Sequence, residues 1–142
     1  MPGRAPGRAA VLVSALTLLT GGAAACGTAA ADPGPRTLHV TIHHSAFAPE
    51  LIVARPGETI RFVLENTDPI DHEFIVGDSR VQQVHEEGTE AHHAPRPGEI
   101  SVPAGETRFT TYTFAPAPGR LLFGCHLPGH YGYGMRGTIS IR

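Results

Sequence analysis

The chain has 142 residues, with 11 basic against 13 acidic side chains and a net charge of −2. It carries no basic stripe, which argues against nucleic acid as a partner. Its 17 glycines and 13 prolines, set among short apolar runs, point to an all-β protein, and every basic side chain is arginine.

Arg4 and Arg8 precede an apolar run from Val11 to Leu19, and small residues follow through Ala25. This is the layout of a secretory signal, and the run is too short to span a bilayer as a helix. Cys26, placed directly after the small residues, resembles the acylated cysteine of the bacterial lipoprotein lipobox. Ala23 departs from that pattern, which prefers a Leu-like residue there. Cleavage after Ala29-Ala30-Ala31 is the competing reading and would discard Cys26. Residues 1–31 are thus expected to be a signal peptide and leader, 32–36 a short linker, and 37–142 one domain. The expected location is extracytoplasmic: secreted, periplasmic, or a cell-envelope lipoprotein that meets the membrane only through its lipid. In such an oxidising compartment Cys125 has no cysteine partner within the domain, and a metal would account for a lone thiol.

Strands are expected in sequence from Leu38. Leu38, Val40 and Ile42 alternate with His39, Thr41 and His43, a half-buried strand by period. Runs at 50–54 and 59–65 are joined by Arg55-Pro56-Gly57-Glu58, which has turn chemistry. Further runs cover 72–76, 107–114, 120–125 and 137–142. Seven or eight short strands at this spacing predict a two-sheet Greek-key sandwich. Residues 79–97 break the pattern: Val81, Val84 and His85 have helical spacing, and a polar stretch with His92-His93 follows. A short helix over 79–87 and a polar loop after it are predicted, and so long an insertion in a small domain is functional or disordered.

The stretch from Phe123 to Met135 carries a thiolate, an imidazole and a thioether in order: Cys125, His130 and Met135. With one more imidazole this is the donor set of a blue-copper site. Leu121 and Phe123 share a strand face with Cys125, so the thiol points inward and His126 points away. The missing imidazole is most economically His72, which shares its face with Phe74 and Val76 and follows a loop.

Taken together these residues resemble the cupredoxins, the plastocyanin/azurin-type blue copper proteins. The resemblance runs through Phe47-x-Pro49, Gly57-Glu58-Thr59-x-x-Phe62, Asn66-x-Asp68, His72-x-Phe74, Pro118-Gly119 and Met135-x-Gly137-x-Ile139. The loop spacing from Cys125 to His130 to Met135 is similar to that of rusticyanin and auracyanin. The resemblance implies one copper ion, Cu(I) or Cu(II), held by His72, Cys125 and His130 with Met135 weak and axial. It also implies that His130 is the edge through which electrons leave. Leu127, Pro128, Tyr131, Tyr133 and Ile70 would then form an apolar rim for a redox protein partner.

Two departures stand out. Glu73 occupies a position where the family usually has Asn to brace the thiolate, so either its backbone does the bracing or the site is looser. Leu121 stands where Tyr is frequent, a change of packing only. Among the other histidines, His39 and His43 are expected outward on a strand and His44 in a turn. His85, His92 and His93 could form a weak second metal site, with a solvated polar loop as the simpler alternative. The expected function is that of a monomeric exported protein carrying single electrons between redox partners, the alternative being copper handling or resistance. An enzyme is not expected, since the related copper enzymes need ligands from a second domain.

Overall fold

The structure, a computed structural model, describes residues 1, 3, 34–88 and 96–142. The predicted leader, Cys26, His92 and His93 lie outside these residues. The chain divides into two compact units, Met1–Ala31 and Asp32–Arg142, and every described strand and helix belongs to the second.

Nine strands and one helix form among the described residues. They are β1 (Arg36–His43), β2 (Ala46–Ala48), β3 (Leu51–Ala54), β4 (Thr59–Asn66), β5 (His72–Gly77), α1 (Ser79–Glu86), β6 (Glu99–Val102), β7 (Thr107–Thr113), β8 (Gly119–Gly124) and β9 (Arg136–Ile141). One sheet has the order β2-β1-β4-β7 and the other β3-β9-β8-β5-β6. β1 runs parallel to β4 and β3 parallel to β9. The all-β two-sheet sandwich expected from strand spacing is the fold observed.

Alternation decides what the sandwich buries. Ile60, Phe62 and Leu64 of β4 point inward and are fully buried, with partly covered residues between them. They meet Phe74 and Val76 of β5, Phe123 of β8 and Ile139 of β9 in one core. Phe74 is its hub, with ring centroids 5.7 Å from Phe47, 5.2 Å from Phe62 and 5.2 Å from Phe123. Truncation there removes a fully buried ring that no neighbour can replace. Phe74→Ala should therefore destabilise the domain by about 3–5 kcal/mol in urea unfolding, and a loss below about 1 kcal/mol would deny Phe74 this place.

Four features differ from expectation. β1 begins at Arg36, within the predicted linker, because Arg36 already pairs with Ile60. β2 was not expected; it is three residues long and closes a hairpin whose turn, His44-Ser45, has neither Gly nor Asn. β6 lies just past the predicted loop and pairs with β5. The fourth is β5, whose outward positions Ile75 and Gly77 are buried as well, because α1 lies against the outer face of β5 and β8. A side chain on Gly77 would overlap Val81 of that helix.

The helix itself follows the prediction closely. Asp78 caps it, its carboxylate accepting from the backbone N–H groups of Arg80 and Val81, both at 2.9 Å. Gly88, at φ +70°, ends it in the left-handed conformation that a helix C-terminus favours.

Candidate metal centre

Two neighbouring strands and one loop build the site. His72 opens β5, Cys125 follows β8 directly, and the two strands pair antiparallel. His130 and Met135 come from the loop between β8 and β9. Donor atoms of His72, Cys125 and His130 lie within 4.8 Å of one another. Cys125 Sγ is 3.3 Å from His130 Nδ1 and 3.9 Å from His72 Nδ1. His72 and Cys125 are fully buried, Met135 nearly so, and His130 is half-buried.

Backbone hydrogen bonds hold the loop closed on itself. The Cys125 N–H donates to the Met135 carbonyl at 3.1 Å, the Met135 N–H to His130 at 3.0 Å, and the His130 N–H to Leu127 at 3.0 Å. Gly134, at φ +105°, supplies the turn that brings Met135 back under the cysteine.

Each ligand is also set from behind. His72 Nε2 donates to Asp68 Oδ2 at 2.9 Å, which leaves the lone pair on Nδ1, the atom facing Cys125. Burial lowers the His72 pKa, more than Asp68 raises it, so the ring is neutral and able to coordinate. Asp68 is buried too and is gripped by the backbone N–H groups of His44 at 2.6 Å and Ser45 at 2.8 Å. Burial alone would disfavour its charge, but those bonds and His72 outweigh it and hold the carboxyl below the usual range. Asn66 fixes the same loop, its side-chain amide donating to the carbonyl of Ile70 at 2.8 Å and its oxygen accepting from the Asp68 N–H at 3.0 Å.

The thiol is braced by backbone. The Glu73 N–H donates to Cys125 Sγ at 3.3 Å, which answers how a glutamate can stand at this position: its carboxylate is not used. The Leu127 N–H reaches the same sulfur. Burial nonetheless pushes the thiol pKa up, with the charges of Glu73 and Glu86 adding to the shift.

His126 is no ligand, as expected from its strand face, but it is far from idle. Its side chain is only 2% exposed, with Nδ1 3.0 Å from Glu86 Oε2 and Nε2 2.8 Å from Gln82 Oε1. Gln82 is fixed in turn by donating to the carbonyls of Ile75 and Leu122. The His126 ring stacks on Tyr131 with centroids 4.5 Å apart. Helix α1 thus grips the residue after Cys125 and, through the stack, the residue after His130. A side-chain carbon on Gly124 would lie 2.5 Å from the Tyr131 ring, so this approach requires glycine. Gln82→Ala should weaken copper affinity on the order of 10-fold, read by competition with a chelator, while Gln83→Ala on the exposed side of α1 changes nothing. Equal affinities in the two variants would show that α1 does not brace the loop.

A buried thiol, two imidazoles presenting Nδ1 and a nearby thioether suit copper, since softer sulfur donors with imidazole select it over hard cations. The protein is a cupredoxin: an all-β sandwich with a single thiolate–imidazole copper site. It belongs to the plastocyanin/azurin family of copper binding proteins, which it matches over residues 36–142. It is 36% identical to the copper-resistant cuproprotein CopI of Rubrivivax gelatinosus, over 75% of this chain and 67% of that one. Its identity to the protein of the same name from Pseudomonas aeruginosa is 28%, over 80% of each chain. Among solved structures it is similar to reduced auracyanin from Roseiflexus castenholzii, with TM-score 0.62 and 26% identity, covering 77% of this chain and 99% of that one.

The remaining predicted residues differ in exposure. Ile70 is 46% and Tyr133 95% exposed, Pro128 is exposed and Leu127 half-buried, whereas Tyr131 is half-buried under its stack with His126. His85 does not sit in a solvated loop: its side chain is 8% exposed, Nδ1 donates to the Val81 carbonyl at 2.9 Å, and Nε2 is 3.7 Å from Glu99. Sequence reasoning assigned no role to Gln82 and Glu86, and Asp68 entered it only through the Asn66-x-Asp68 pattern.

Proposed function

We propose that the protein binds one copper ion outside the cytoplasm and serves copper handling or resistance. What favours this over electron transport is its likeness to two proteins named for copper resistance. Bound copper would supply a one-electron Cu(I)/Cu(II) couple. Around it, Cys125 and His72 exclude water, the Glu73 N–H holds the sulfur, and half-buried His130 is the ligand nearest solvent for entry and exit of the ion. Such a closed cluster suits binding better than catalysis, which needs a coordination position open to substrate. A signal peptide would export the domain, and acylation at Cys26 would tether it to the cell envelope.

The test is copper tolerance. A copper-sensitive bacterial host should gain tolerance from the full chain but not from Cys125→Ser. Unchanged tolerance, together with rapid and reversible electron exchange by the copper-loaded protein, would overturn this role in favour of the carrier. That second role has its own support in the exposed apolar side chains of Ile70 and Tyr133, on which a redox protein could dock.

A further inference from the structure

We propose that His43 and His44 form a second metal site, at the surface, for a borderline divalent ion such as Cu(II). The β1–β2 hairpin pairs His43 with Ala46, so His44 and Ser45 are its two-residue turn. Both have positive φ, 51° and 54°, as this tight turn demands, yet neither is the Gly or Asn that it favours. Non-glycine residues persist in such a conformation where the surroundings dictate it, and such positions gather at functional sites. The surroundings here are Asp68, which takes both N–H groups of the turn.

That turn places two imidazoles side by side. The rings of His43 and His44 lie 3.8 Å apart between centroids, tilted by 38°. Their protonation is partly set. Thr67 Oγ1 donates to the Ile42 carbonyl at 2.8 Å, so toward His43 Nδ1, 2.9 Å away, it can only accept. His43 therefore carries its proton on Nδ1 and keeps the Nε2 lone pair for another partner. Its side chain is 60% exposed. The His44 ring makes no hydrogen bond among the described residues, and it is exposed. Two nitrogens on rings this close can share one ion at metal–nitrogen distances of about 2.0–2.1 Å, with water completing the coordination. The Asp68 carboxylate, 4.0 Å from His43 Nδ1, adds the negative charge a cation needs. Among imidazole-binding divalent ions the affinity order favours Cu(II).

Asp68 also joins this surface pair to the buried centre, since its other oxygen accepts from His72. An ion on the hairpin would thus be felt at His72, giving the site an optical signature. The inference stands whichever role the buried copper serves.

The test uses the full chain loaded with one equivalent of Cu(II) and then titrated with more Cu(II), followed by electron paramagnetic resonance and visible absorption. A second signal with nitrogen couplings and a small shift of the visible band are expected. His43→Gln with His44→Gln should weaken this second binding about ten-fold or more and remove the shift, with the first-equivalent band intact. If the double variant does not fold, His43→Gln alone should give the same loss. Replacing His85, His92 and His93 with Gln should leave the second signal in place. Its disappearance in that triple variant, its persistence in the hairpin variants, or no second signal in copper excess would each overturn the proposal. Loss of the first band in the unsubstituted protein would instead count against the buried centre.

Discussion

Cys125→Ser should abolish the intense visible band of the copper-loaded protein and weaken copper binding by about 100-fold or more. Sulfur is the only soft anionic donor in the cluster of His72, Cys125 and His130. Serine would place a harder, scarcely acidic hydroxyl in a fully buried position where the N–H groups of Glu73 and Leu127 already converge. The substitution also has a proton signature. Burial pushes the Cys125 thiol up, so at neutral pH the metal-free protein holds that proton and must release it to bind. His72, lowered by its own burial, has no proton to give there. Copper uptake should accordingly release about one proton from Cys125, and affinity should rise with pH until the raised thiol pKa is passed. Titration in weak buffer measures this directly. A visible band that survives in Cys125→Ser would place the copper elsewhere.

Asp68→Ala should be nearly as costly, although Asp68 is no ligand. It would leave the His72 Nε2–H buried without an acceptor and free the ring to turn. Carboxylates placed behind a metal-bound imidazole are worth about 10–100-fold in metal affinity. It would also release the His44 and Ser45 N–H groups and so undo the reason for their left-handed turn. A stability loss of about 1–3 kcal/mol in the metal-free protein is expected for groups orphaned in this way. The pH dependence gives the sign. Because the folded Asp68 pKa is depressed, its contribution is fully present above the unfolded value near about 4 and is lost as pH falls through the folded value. Asp68→Ala should therefore flatten the acid limb of stability between those values. An unaltered limb and unchanged copper affinity would show that Asp68 supports neither the turn nor His72.

The orientation of Cys125 and His72 in the donor cluster was legible because period-two alternation is simple where one face of a strand is buried. Leu121, Phe123 and Cys125 share a face, as do His72, Phe74 and Val76, and each set could be oriented without knowing its neighbours. His126 shows where this fails. Alternation correctly turned it away from the core, but the outer face of β8 is covered by α1, and nothing in the strand announces a covering helix. Gln82 carries the same lesson from the other side: a buried glutamine in a short polar helix looks like any solvated residue until the carbonyls of Ile75 and Leu122 are seen to hold it. Asp68 was visible as part of a pattern but not as a partner of His72, because its role depends on a hairpin turn more than twenty residues earlier that lacks the usual turn residues. Glu73 left two readings open, and a backbone N–H decided between them.

The paired strands also give copper a mechanical role. His72 and Cys125 are separated by 53 positions, so an ion shared between them fastens a long segment of chain that includes α1 and four strands, β5 to β8. Closing a loop of this length with a covalent link removes about 4 kcal/mol of unfolded-chain entropy. A lone cysteine can therefore do work of the kind a disulfide does in exported proteins, using the metal as its partner. The staple is removable: with the copper withdrawn, the same domain should become easier to unfold.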